Sequence, residues 1–136
     1  MRVVFDTNIY ISAFAIPGGD AEEAYRHALR GTFDLIASIF ILTETARVLQ
    51  TKFDWTSDRV QQLIRQISQT VTLVKPQAHL HILSDEPDNR ILECALESRA
   101  DFLVTGDRDL LALGQHETIQ VITLAQFLAK LQKGAP

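Results

Sequence analysis

Short apolar runs that stop at a turn or cap residue recur along this chain, and the stretches between them carry helical patterns. The runs are Arg2–Phe5, Phe33–Ala37, Val71–Val74 and Phe102–Val104, with a fifth at Ile119–Ile122. Five helical stretches are predicted. Asp20–Leu29 follows Gly18-Gly19, and Ile39–Gln50 follows Ser38, a good N-cap. Asp58–Gln69 follows Thr56-Ser57. Asp88–Ser98 follows Pro87, which suits a first helical position. Leu124–Leu131 follows Thr123. Strands alternating with helices predict an α/β domain with a mostly parallel sheet. Runs such as VVF and FLV are what strands buried on both faces require. With 136 residues, 46% of them hydrophobic, one domain over residues 1–133 is expected, followed by a frayed tail at 134–136.

Several classes drop out. No apolar run approaches the roughly 20 residues of a membrane span, and Asp6 interrupts any signal-peptide pattern at the N-terminus. Cys94 is the single cysteine, so a disulfide framework and a cysteine zinc site are both excluded. Cys94 itself reads as a small buried apolar residue. A cytoplasmic protein with no membrane partner is expected. The net charge of −4 argues against a nucleic-acid binder that relies on Lys and Arg alone. That objection weakens if acids hold divalent cations, because two bound Mg²⁺ would cancel the charge.

Ligands of open parallel sheets bind beyond the carboxyl ends of the strands. Asp6 and Asp107 each come just after an apolar strand, so both are expected in one crevice. Each has a plainer explanation. Asp6 can form an Asx-turn or cap the segment from Thr7. Asp107, after Gly106, can cap a short helix through Leu113, and Asp109 can be first-turn charge. Glu44 borders the apolar stripe formed by Ile39, Ile41, Leu42, Ala46, Val48 and Leu49, where it can simply pair with Arg47 at i+3. Asp88 shares its azimuth with Leu92 and Ala95 and points along a buried stripe, although first-turn acids are common and Asp85 and Glu86 crowd the same place. Taken together the plain explanations are less satisfying. Two carboxylates 4 Å apart repel by about 4 kcal/mol at an effective dielectric near 20. Cations or raised pKa values are needed to gather several. Hard divalent cations prefer oxygen ligands, and such a site can activate water and clamp phosphate.

Three segments, VVFDTNIYISA, LTETARVL and DEPDNRILECALESRADFLVTGDRDLL, occur in an order that resembles PIN-domain nucleases. The similarity is to the prokaryotic branch that includes toxins of toxin–antitoxin systems, and it extends over nearly the whole chain. It implies a three-layer α/β/α fold around a mostly parallel sheet of about five strands. It also implies a Mg²⁺- or Mn²⁺-dependent endoribonuclease that leaves a 5′-phosphate and a 3′-hydroxyl. By motif, Asp6, Glu44, Asp88 and Asp107 match the acidic positions that catalyse and hold metal. Asp109 is an additional candidate ligand, and Asn8 and Thr105 match supporting polar positions. The chain carries Asn89 where some relatives have another acid, so Asp85 and Glu86 stay alternatives to Asp88. The resemblance further implies an RNA substrate, a cognate antitoxin and a homodimer.

Arg47, Lys52, Arg90 and Arg108 lie near the acid motifs and are candidates for RNA contacts, each with surface charge as the plainer reading. His79 and His81 are expected in a surface loop after Pro76. Trp55 is expected to pack between two helices. A phosphatase of the haloacid dehalogenase type needs a second acid two residues after the first, where this chain has Asn8. A receiver domain needs an early acid pair and a well-placed late lysine, and the sequence offers neither. The remaining alternative is a non-catalytic PIN-like RNA-binding or assembly module.

Overall fold

The computed structural model describes residues 1–134. The elements in chain order are β1 (Arg2–Phe5), α1 (Thr7–Ala15), α2 (Asp20–Leu29), β2 (Asp34–Ser38), α3 (Ile39–Lys52), α4 (Ser57–Thr70) and β3 (Thr72–Val74). They continue with α5 (Glu86–Glu97), β4 (Phe102–Val104), α6 (Arg108–Leu113), β5 (Gln115–His116), β6 (Ile119–Ile122) and α7 (Leu124–Gly134). The strands form one sheet in the order β3-β2-β1-β4-β6-β5. All pairings are parallel except β5 with β6. The steps from β1 to β2 to β3 run one way across the sheet, and the step from β3 to β4 runs back. Right-handed crossovers therefore send the two sets of helices to opposite faces, which gives the three-layer α/β/α arrangement.

β1 is central. Val3, Val4 and Phe5 are buried because helices cover both faces of the sheet. One layer of the core is aromatic. Phe127 of α7 lies 6.0 Å from Phe5 and 5.0 Å from Phe33, ring centre to ring centre, both edge-on. That geometry suits the ring quadrupoles. On the other side, α5 packs against β1, β2 and β4 through Ile91, Leu92 and Ala95, all buried.

Three expectations are corrected. First, β5 adds a sixth strand. It is two residues long and polar, so it has no apolar run to mark it. Second, the buried stripe of α3 is Ile41, Leu42, Thr45 and Leu49, and Ile39 is 64% exposed. Ile39 is the first helical residue and stands at the end of β2. Thr45 enters the core because its hydroxyl donates to the Ile41 carbonyl at 2.8 Å and so needs no water. Third, α5 begins at Glu86, which makes Pro87 its second residue. Asp85 takes the N-cap, and proline is tolerated because an amide hydrogen there would have no helical acceptor. Of the expected frayed tail, Gly134 closes α7, and 135–136 lie outside the described residues. His79 and His81 lie in the irregular segment 75–85, as expected.

Candidate metal centre

The site grows from the carboxyl ends of two neighbouring strands. β1 and β4 pair with Phe5 opposite Val104, so the next residues, Asp6 and Thr105, are side by side. The Asp6 amide donates to the Val104 carbonyl at 2.9 Å. The Thr105 hydroxyl donates to Asp6 Oδ2 at 2.7 Å and accepts from the Asp107 amide at 2.9 Å. Thr105 is fully buried and Asp6 nearly so. The polar residue at the strand end therefore ties together the two acids that leave the sheet. Asp107 caps α6, with Oδ1 accepting from the Asp109 amide at 2.9 Å and the Leu110 amide at 3.0 Å.

Asp88 comes to the same place from the first turn of α5. Ligand atoms of Asp88, Asp107 and Asp109 lie within 4.8 Å of one another. Asp88 is only 7% exposed, and its Oδ2 is buried without a hydrogen-bond partner. Burial, followed by the charges of Asp107, Asp85 and Asp6, raises its pKa to about 7. Asp6 is also raised, first by burial, although the Thr105 hydrogen bond works against the shift. Both directions follow from carboxylates removed from water and set near one another. A buried acid with an orphaned carboxylate oxygen, grouped with two other carboxylates, matches the all-oxygen donor set of a hard divalent cation. The residues present therefore fit a Mg²⁺ or Mn²⁺ ion.

The remaining expected positions are less uniform. Glu44 is outside the group of three. It pairs with Arg47, whose Nε and Nη2 donate to its two carboxylate oxygens at 3.2 and 3.0 Å. The plainer expectation for Glu44 thus describes its placement. Asn8 is exposed on the first turn of α1. Glu86 is exposed and pairs with Arg90 at 3.2 Å, and Asp85 caps α5, so Asp88 is the acid of this segment that turns inward. Arg90 also meets Glu93 at 2.8 Å and donates to the Leu80 carbonyl. Trp55 is partly buried, with the Arg59 guanidinium 3.6 Å from its ring centre. Two buried polar residues, Asn89 and Glu93, were not singled out from sequence as structural. Their four-residue spacing, in register with Glu97, was the available signal.

A groove of about 700 Å³ between α3 and α4, lined by Ile39, Leu42, Ala46, Val60 and Ile64 among others, contains none of these acids.

Comparison with known proteins agrees with this fold. The PIN-domain family model matches residues 2–109. An uncharacterised protein, MJ1680, of Methanocaldococcus jannaschii is 28% identical over 117 residues, spanning 83% of this chain and 75% of the relative. The crystal structure of VapBC2 from Rickettsia felis, bound to a DNA fragment from its promoter, includes a similar chain. The match has TM-score 0.65 and 15% identity, and covers 90% of this chain and 98% of that one. VapBC-1 from nontypeable Haemophilus influenzae matches with TM-score 0.64 and 16% identity, over 92% of this chain and 99% of that one.

Proposed function

The chain belongs to the PIN-domain family, and from that premise we propose that it is a divalent-metal-dependent endoribonuclease, the toxin of a toxin–antitoxin pair. The carrying observation is the convergence of Asp88, Asp107 and Asp109 within 4.8 Å, with Asp6 held beside them by Thr105. PIN domains are generally nucleases. The similarly folded chains come from VapBC assemblies, which supports the toxin reading and an antitoxin partner.

In this reading Asp6, Asp88 and Asp107 hold the ion, and Asp109 adds a ligand at the rim. A bound Mg²⁺ or Mn²⁺ supplies Lewis acidity and lowers the pKa of water near a phosphodiester. The protein's own part is to fix the acids. The Thr105 hydrogen bond favours the ionised form of Asp6 and fixes its direction. The α6 backbone amides occupy one oxygen of Asp107 and leave the other free. Burial leaves Asp88 Oδ2 without a protein hydrogen-bond partner. Glu44, paired here with Arg47, would hold a second ion or orient the attacking water.

Arg47 and Arg90 already neutralise glutamates. Lys52 and Arg108 are exposed and form no ion pair among the described residues, which makes them the better phosphate contacts. No described helix is long and apolar enough to cross a membrane, and the proposed setting is the cytoplasm.

The test is cleavage of end-labelled single-stranded and structured RNAs with Mn²⁺ or Mg²⁺, beside an EDTA control and Asp6→Asn. Cleavage that requires both the metal and Asp6 is expected, with at least a hundredfold loss in the variant, on the order of what one charge-stabilising group contributes. Cleavage that persists in Asp6→Asn would sink the proposal. Absence of both cleavage and metal binding would favour the non-catalytic module.

A further inference from the structure

Asn89 is fully buried on the first turn of α5, and its side-chain hydrogen bonds all go to the segment before the helix. Its Oδ1 accepts from the Leu83 amide at 2.9 Å. Its Nδ2 donates to the Leu83 carbonyl at 2.9 Å and to the Asp85 carbonyl at 3.3 Å. One turn further on, Glu93 Oε2 accepts from the Leu80 amide at 2.7 Å. A turn beyond that, Glu97 Oε1 accepts from the Gln77 amide at 3.0 Å. The segment 75–85 has no regular structure, so its backbone groups must find partners elsewhere. α5 supplies them from one face, at four-residue spacing.

The Asn89 contact differs from the other two. It uses both ends of the amide, which fixes its orientation, and it grips the backbone at Asp85. The Asp85 carboxylate in turn accepts the Asp88 amide at 3.3 Å as the helix N-cap. The chain of contacts therefore runs from Asn89 to Asp85 to Asp88, and ends at the carboxylate with the unpartnered buried oxygen. A cap alone would start the helix. Anchoring the cap from a buried amide sets the rotation at which the helix starts, and that decides where Asp88 points.

We infer that Asp85 and Asn89 act together as positioning residues that aim the Asp88 carboxylate into the acid cluster. The inference rests on the reading of that cluster as a metal centre. Neither residue needs to touch the ion.

The experiment is calorimetric titration of the full chain with Mn²⁺ for wild type, Asn89→Ala, Asp85→Ala, Asp85→Ser and Glu97→Ala. Folding of each is followed by circular dichroism. Asn89→Ala and Asp85→Ala are expected to weaken Mn²⁺ binding by about tenfold or more, the range for partners that orient a ligand. Asp85→Ser keeps a capping oxygen and is expected to return to within about threefold of wild type, since serine and aspartate cap comparably. Glu97→Ala releases the far end of the segment and is expected to bind as wild type does. Asp85 is exposed, so its variants decide the matter if Asn89→Ala does not fold. Wild-type affinity in a folded Asp85→Ala would overturn the inference. So would equal weakening in Asp85→Ala and Asp85→Ser, which would mean that Asp85 acts by charge rather than by aim. A wild type that binds no Mn²⁺ would overturn the metal-centre reading and the inference with it.

Discussion

Asp88 shows how one residue can carry a cost and a use together. Its pKa rises from 3.8 to about 7, chiefly because it is buried. Between those values the folded chain holds a proton that the unfolded chain has released, so stability falls as pH rises through this window. The cost is complete above about pH 7 and amounts to at most about 4 kcal/mol, at 1.36 kcal/mol per unit. Asp88→Asn removes the charge and keeps the shape. The metal-free variant should therefore be more stable than wild type at pH 8 by a margin that vanishes near pH 3. Chemical denaturation at the two pH values measures this, and a variant less stable than wild type at pH 8 would contradict it. The inward direction of Asp88 was legible from its spacing to Leu92 and Ala95, both buried. The roles of Asp85 and Asn89 were not. Three acids in four positions compete for one helix start, and only the tertiary grip of Asn89 on the preceding segment decides the winner.

At the scale of elements, the strand ends were readable and the helix ends less so. Asp6 and Asp107 stand where the apolar runs stop, and parallel pairing of β1 with β4 is enough to bring those ends together. The face of α3 was harder, because the periodicity that marks a stripe says nothing about how far a helix end projects past its strand. That is why Ile39 is exposed. Glu44 has the same difficulty. Its place beside Arg47 is local helix geometry, and the helical period alone does not tell a boundary acid that pairs with its neighbour from one that turns to a site. α6 offers a cleaner test. Asp107 both caps the helix through Oδ1 and faces Asp88 and Asp109. Serine can cap but cannot serve as a carboxylate ligand. Asp107→Ser should change stability by no more than about 1 kcal/mol, while Mn²⁺ affinity falls by an order of magnitude or more. Loss of stability without loss of Mn²⁺ affinity would confine Asp107 to capping.

For the molecule as a whole, net charge −4 and a concentrated acid cluster set carboxylate repulsion against folding, and a bound cation would relieve it. A cation that binds only the folded chain adds stability by mass action, about 2.7 kcal/mol at one hundred times its dissociation constant. For a chain of this length that is a rise of roughly 10 °C in melting temperature. Protons compete for the same oxygens. At pH 5 Asp88 is protonated in the folded state, so the metal has less to gain. At pH 8 it is ionised and repelled, and the metal relieves that repulsion as it binds. The melting temperature without metal should fall between pH 5 and pH 8 as far as Asp88 contributes, and the increment caused by a fixed excess of Mn²⁺ should grow over the same interval. Thermal melts at both pH values, with Mn²⁺ and with EDTA, measure the two trends together. An increment equal at pH 5 and pH 8 would place the ion on groups other than the buried acid. A larger increment at pH 8, abolished in Asp88→Asn, would tie it to the one carboxylate oxygen that is buried without a partner among the described residues.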